Sequence, residues 1–129
     1  MATSVRTYRD LIVWQKAFEL CRRVYGATSS FPREERFGLT AEARKTSRSV
    51  VYNIAEGHKR RSTAEYMRFL DIAWGSGAEL ETQLLLATAL GYLDQNTARP
   101  LLDLYAEVDR MLGALQRSLQ QRMRGPSRP

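Results

Sequence analysis

The side chains best placed by type and spacing to act on a partner are basic. Arg44, Lys45 and Arg48 lie close together, with Arg44 and Arg48 one helical turn apart. His58-Lys59-Arg60-Arg61 forms a second cluster, and Arg68 follows. Arginine's planar fork grips two phosphate oxygens at once, so these positions predict contacts to a polyanion. The alternative for residues 58–61 is structural, because cations at a helix C-terminus complement its dipole. The clusters lack the interleaved aromatics of a base-stacking surface, so the contacts expected are to backbone and shape rather than to base sequence.

Charge supports the same chemistry. The net charge is +6, and it is lopsided: residues 1–68 hold fourteen Lys or Arg against seven Asp or Glu, while residues 69–129 hold six against seven. Such asymmetry suggests an anionic partner such as RNA or DNA, with solubility and surface ion pairs as the alternative.

Catalytic chemistry finds little to use. A di-iron bundle site needs four carboxylates and two Glu-x-x-His pairs. The single histidine, His58, stands two residues after Glu56, off its helix face. The single cysteine, Cys21, falls on an apolar stripe and reads as a small buried hydrophobe rather than a nucleophile. No phosphate-binding glycine loop occurs. No catalytic, cofactor or metal residue is assigned, and the chain is expected not to be an enzyme. One cysteine excludes an internal disulfide, no apolar run reaches the roughly 20 residues of a membrane span, and no apolar h-region follows the N-terminus. The expectation is a cytoplasmic protein.

The elements that must carry these residues read as helices. At 129 residues, 43% hydrophobic and 26% charged, the chain fits one folded domain. Leu11, Trp14, Phe18, Cys21 and Tyr25 predict the inward stripe of a first helix over residues 10–28, capped by Asp10. Phe31-Pro32 and Gly38 break the pattern around a short helical piece. Thr40 is the expected cap of a second helix over 41–60, with Ala43, Thr46, Val50, Ile54 and Gly57 inward. Ser62 with Glu65 forms a capping box for the third, which ends near Leu90 with Gly91 in the left-handed position. Its seam, Tyr66, Leu70, Ala73, Gly77, Leu80, Leu84 and Ala87, keeps strict 4-3 spacing. Asp94 or Asn96 caps the fourth, whose stripe is Leu101, Tyr105, Val108, Leu112, Leu115 and Leu119. No period-2 strand pattern appears. Short connections favour an all-α, up-down-up-down antiparallel four-helix bundle over residues 10–124, with a flexible segment 1–9 and a disordered tail 125–129.

The apolar residues exceed what one such bundle can bury. The third helix carries Trp74, Leu85 and Leu86 beside its seam, and Leu11-Ile12-Val13-Trp14 covers most of the first helix. A helix apolar all round must be buried all round, which predicts a homo-oligomer. Gly75 and Gly77, each unfavourable inside a helix by roughly 0.5–1 kcal/mol against alanine, predict a close helix approach. Glu79 or Glu81 is expected to pair with Arg44 or Arg48, either on the neighbouring helix or across a subunit boundary. Asn53 and Glu56 are expected to join that polar layer and set register.

In order along the chain, Leu11 to Tyr25 (LIVWQKAFELCRRVY), Phe31-Pro32 with Phe37-Gly38-Leu39, Asn53-Ile54-Ala55-Glu56-Gly57, Gly75-Ser76 with Glu79-Leu80-Glu81-Thr82-Gln83, and Leu90-Gly91-Tyr92-Leu93 resemble the four-helix bundle proteins related to those encoded in intervening sequences of bacterial 23S ribosomal RNA genes. The resemblance covers about residues 8–120. It implies a left-handed bundle, a homopentameric ring, no enzymatic activity, and distant similarity to the accessory subunit of diversity-generating retroelements, which binds nucleic acid and a reverse transcriptase. One departure is local: Ser49-Val50-Val51-Tyr52 stands where the family often has Ser-Ile-Pro-Ser, which implies a straighter second helix. The expected function is a non-catalytic oligomeric accessory protein that binds RNA or DNA. The alternative is a scaffold that docks an acidic protein or a polymerase.

Overall fold

The structure, a computed structural model, describes residues 4–125. Four helices carry the chain: α1 (Ile12–Thr28), α2 (Leu39–His58), α3 (Thr63–Ala89) and α4 (Gln95–Arg124), with single 3-10 turns at Tyr8–Asp10 and Arg33–Glu35. No strand occurs among the described residues. Of the segment 1–9 expected to be flexible, residues 1–3 lie outside the described residues, as do residues 126–129 of the tail expected to be disordered.

Local chemistry sets the helix ends. Ser62 Oγ accepts from the Glu65 amide at 3.1 Å and opens α3, and Asp94 Oδ1 accepts from the Thr97 amide at 2.8 Å and opens α4. Gly91, at φ 81°, takes the left-handed conformation after α3, where the Tyr92 amide donates to Ala87 at 2.8 Å. Three cap expectations are corrected. The Asp10 carboxylate accepts from the amides of Arg6 and Thr7 at 2.9 and 3.1 Å, so it closes the preceding turn and does not cap α1. Thr40 lies inside α2. The residue ahead of that helix, Gly38, has no side chain, and Glu35 Oε1 accepts from the Leu39 amide at 3.0 Å instead. Glu65 turns its carboxylate to Arg68 rather than back to Ser62.

Each helix packs on two neighbours: α1 on α2 and α4, and α3 on α2 and α4, while α1 and α3 do not meet. The inward stripes expected for α2 and α3 are those observed, apart from a half-buried Tyr66, and that of α4 holds apart from a half-buried Leu115. The stripe of α1 is different. Val13, Ala17, Leu20, Val24 and Thr28 face the core, whereas Phe18 and Tyr25 are exposed and Leu11, Trp14 and Cys21 are half-buried. Both stripes repeat at helical spacing, and the smaller aliphatic one fits the interior.

Register between α2 and α3 is set by small polar groups and one close approach. Gln83 Nε2 donates to Thr46 Oγ1 at 3.1 Å, Ser49 and Ser76 share a hydrogen bond of 2.8 Å, and Asn53 Nδ2 donates to Ser49 within α2. A Cβ on Gly57 would stand 3.0 Å from Phe69 Cβ and from the Tyr66 ring. Between α3 and α4, a Cβ on Gly77 would meet the Tyr105 ring at 3.0 Å, and one on Gly113 would meet the Trp74 ring at 2.8 Å. The close approach predicted at Gly77 is therefore made by α4 of the same chain, and Gly75 faces open space.

Candidate nucleic-acid interface

The end of α2 and the start of α3 place Lys59, Arg60, Arg61 and Arg68 on one exposed corner. Two of these side chains are held in position. The guanidinium carbons of Arg60 and Arg68 lie 4.5 and 4.6 Å from the centroid of the buried Phe69 ring. Arg68 also makes a two-pronged contact to Glu65, with Nε and Nη2 donating at 3.1 and 3.2 Å. That pair lowers the Glu65 pKa and raises that of Arg68, chiefly through the hydrogen bonds. His58 sets its ring edge-on against Tyr66 at 5.8 Å. Lys59 and Arg61 make no ion pair among the described residues.

Two further segments reach this corner. Tyr8, in the turn that follows Arg6, lines a shallow depression of about 400 Å³ with Ala55, Glu56, Lys59 and Arg60, while its ring meets Trp14 edge-on at 5.4 Å. From the other side, Arg122 in the last turn of α4 comes close enough to offset part of the burial that raises the Tyr66 pKa. Tyr8 of the N-terminal turn, the basic α2–α3 connection and Arg122 of α4 thus lie at one end of the bundle. The position of Arg122 has no signal in the local sequence around residues 58–61. It follows from the pairing of elements: α4 meets α3 in reverse residue order, with Tyr105 at Gly77 and Gln116 Nε2 donating to Asp71 at 2.6 Å.

The cluster on the body of α2 is placed differently. Arg44 Nε donates to Thr28 Oγ1 at 2.8 Å and Nη2 to the Tyr25 carbonyl at 3.2 Å, and its guanidinium lies 4.9 Å from the Tyr25 ring centroid. It ties α2 to the end of α1. Arg48 Nη1 donates to Tyr25 Oη at 2.6 Å, and this bond is the main cause of its raised pKa. Lys45 is exposed beside them. The pairing of Glu79 or Glu81 with Arg44 or Arg48 on the neighbouring helix is not made, because both arginines turn toward α1 and the glutamates sit on α3. Glu56 stays exposed, outside the Asn53–Ser49–Ser76 layer. Among the described residues no group of three or more His, Cys, Asp and Glu side chains is arranged to hold a metal ion, and no helix is long and apolar enough to cross a membrane.

These features define a four-helix bundle with a basic end. The sequence matches the family model of the 23S rRNA-intervening sequence protein over residues 9–114, and the chain belongs to that family. A crystal structure of a protein of unknown function from Bacteroides thetaiotaomicron, of the S23 ribosomal protein family, is similar to it with a TM-score of 0.77 at 20% identity, covering 82% of this chain and 96% of that one. At that identity the likeness speaks for the fold. No curated protein shows significant similarity to the chain.

Proposed function

We propose that this chain is the subunit of a non-catalytic, homo-oligomeric accessory protein, a pentamer, that binds RNA or DNA through the basic end of its bundle. The observation that carries this reading is the basic corner at the α2–α3 connection, with Lys59 and Arg61 exposed, Arg60 and Arg68 held against Phe69, and Arg122 of α4 close by. A charged face assembled from distant segments attracts phosphates, and repetition around a ring multiplies avidity for a polyanion. Arg44 serves the fold. Lys45 and Arg48 are secondary contacts along the side of α2. The contacts of α3 with α2 and α4 in reverse residue order support an up-down-up-down course, which we take with a left-handed twist. We place the protein in the cytoplasm, consistent with its single cysteine.

The test is to reverse Lys59, Arg60 and Arg61 to glutamate together and measure binding to a structured RNA and a DNA duplex. Loss of binding with unchanged helicity and assembly is expected. Unchanged affinity would remove the site assignment. A partner captured from cells that survives nuclease treatment would move the reading to a protein scaffold.

A further inference from the structure

The basic corner holds two side chains that phosphate binding does not use, one aromatic and one acidic. Tyr8 and Glu56 line the same shallow depression of about 400 Å³, together with Ala55, Lys59 and Arg60. The basic clusters lack interleaved aromatics in sequence, and the fold supplies one from the N-terminal turn. That turn is firmly held. The Asp10 carboxylate accepts from the Arg6 and Thr7 amides, Thr7 Oγ1 accepts from the Arg9 amide at 3.2 Å, and Gln15 Nε2 ties the turn to α1 by donating to the Arg9 carbonyl at 2.8 Å. Trp14 meets the half-buried Tyr8 ring at 5.4 Å, and Phe18 lies against Trp14 at 5.1 Å. A ring fixed in this way loses little freedom when a flat ligand settles on it. Glu56 is the odd charge. Lys59 and Arg60 follow it at the i,i+3 and i,i+4 spacings that pair opposite charges on a helix, yet it is exposed and makes no ion pair among the described residues. Arg60 lies over Phe69 instead. A free carboxylate weakens the attraction of this corner for every phosphate, so it fits a ligand that brings hydrogen-bond donors as well as phosphates.

We propose that this depression takes one unpaired guanine of a nucleic-acid strand. The base stacks on Tyr8, its Watson–Crick edge donates N1–H and N2–H to the two oxygens of Glu56, and Lys59, Arg60 and Arg61 hold the flanking phosphates. This deepens the nucleic-acid reading proposed above and rests on it. Guanine is selected by its donor pattern. It alone sets two adjacent N–H donors against the two acceptor oxygens of a carboxylate. Adenine and cytosine each offer one amino donor beside a ring-nitrogen acceptor, and uracil or thymine offers one donor between two carbonyls. Each of those sets a lone pair against the carboxylate. The guanine must be unpaired, because pairing occupies the same edge, and loops, bulges and strand ends meet that condition. A lysine or arginine of a partner protein is the rival occupant for an aromatic ring beside a carboxylate, but Lys59 and Arg60 in the same depression repel it.

The experiment is fluorescence anisotropy of the full-length protein with labelled oligouridine strands of about ten nucleotides, each carrying one central guanine, inosine, adenine, cytosine or uracil, and with the matching oligothymidine strands in DNA. The guanine strand is expected to bind about tenfold tighter than the adenine, cytosine and uracil strands. Inosine, which keeps N1–H but lacks the 2-amino group, should fall between. Glu56→Gln gives the sign that separates base recognition from simple charge. Removing a negative charge from a basic corner should tighten binding of the uracil strand, whereas the guanine strand should lose its advantage. Tyr8→Phe should bind as the parent does, and Tyr8→Ala about tenfold more weakly for every strand, with circular dichroism confirming that each variant is helical. A guanine preference in either the RNA or the DNA series supports the site. Equal affinity for all bases, a preference that Glu56→Gln leaves intact, or binding of a duplex but of no single strand overturns it while the nucleic-acid reading stands. No binding of any strand or duplex at about 50 mM salt removes both. Binding of a labelled oligoarginine peptide that Glu56→Gln abolishes, with no guanine preference, would assign the depression to a cationic protein segment instead.

Discussion

Gly57 ties the basic corner to the rest of the fold, and replacing it with alanine tests the α2–α3 packing directly. The added Cβ would stand 3.0 Å from Phe69 Cβ, 3.0 Å from Tyr66 Cδ1 and 3.3 Å from the Tyr66 carbonyl oxygen. Two of these atoms, the carbonyl oxygen and a Cβ, are fixed to the backbone, so α3 itself must shift. Alanine is favoured over glycine inside a helix by up to about 1 kcal/mol, and overpacking a close contact costs about 1–3 kcal/mol. Crowding wins, and the net loss expected is about 1–2 kcal/mol, or a fall in Tm of roughly 3–10 °C for a domain of this size. Gly26 supplies the comparison. It is exposed in α1, and a Cβ there meets nothing within 4 Å, so Gly26→Ala should stabilise by about 0.5–1 kcal/mol. Thermal and urea unfolding of both variants give the sign of each change. A Gly57→Ala protein as stable as the parent would refute the close approach of α2 and α3.

Three groups yield further expectations. Gln83 is buried and its Oε1 lacks a hydrogen-bond partner, while Thr46 keeps a bond to the Glu42 carbonyl at 2.8 Å. Gln83→Leu should therefore lie within about 1 kcal/mol of the parent or be more stable in denaturant titrations, because it removes an unsatisfied acceptor; a loss above about 3 kcal/mol would point to an unseen role for that oxygen. Burial, with the nearby Asp109 carboxylate, pushes the Tyr105 hydroxyl up to about 12 from an ordinary value of 10.0. Its neutral form is the one the fold holds, so its contribution is complete below pH 10 and lost as pH rises toward 12. Tyr105→Phe should flatten the stability profile over that alkaline window in pH-dependent unfolding. Glu19, held at about 2 by hydrogen bonds from Arg22 and Arg23, works in the opposite sense: its contribution is present above its ordinary value of 4.5 and fades as pH falls toward 2. Glu19→Gln should remove that acid dependence.

The bundle was legible in the sequence because three of four helices separate their inward stripe cleanly. The α3 seam, at strict 4-3 spacing, lies inward as read, with Tyr66 at its edge. For α1 the periodicity supports two stripes, and the larger aromatic one invites the wrong choice. The helix keeps Val13, Ala17, Leu20 and Val24 inside, between α2 and α4, and leaves Phe18 and Tyr25 outside. Cap residues failed where the acceptor came from another turn, as Glu35 does for Leu39. The cluster at 58–61 could be read as one exposed basic corner, but the arrival of Arg122 depends on which helices are neighbours. Arg44 looked like a phosphate ligand, and only packing shows its guanidinium turned to Thr28 and Tyr25. The two glycines of α3 divide likewise: Gly77 makes room for Tyr105, whereas Gly75 is open, and nothing in their spacing separates the roles.

The most direct test of nucleic-acid binding is fluorescence anisotropy of the full-length protein with a structured RNA and a DNA duplex, repeated from about 50 to 200 mM salt. Phosphate contacts release counterions, so the logarithm of affinity should fall linearly with the logarithm of salt concentration, by a slope near 0.9 for each duplex phosphate neutralised. A steep slope is expected, one that flattens by about three contacts when Lys59, Arg60 and Arg61 are reversed. No binding at the lowest salt, or a slope those three residues do not change, would contradict it.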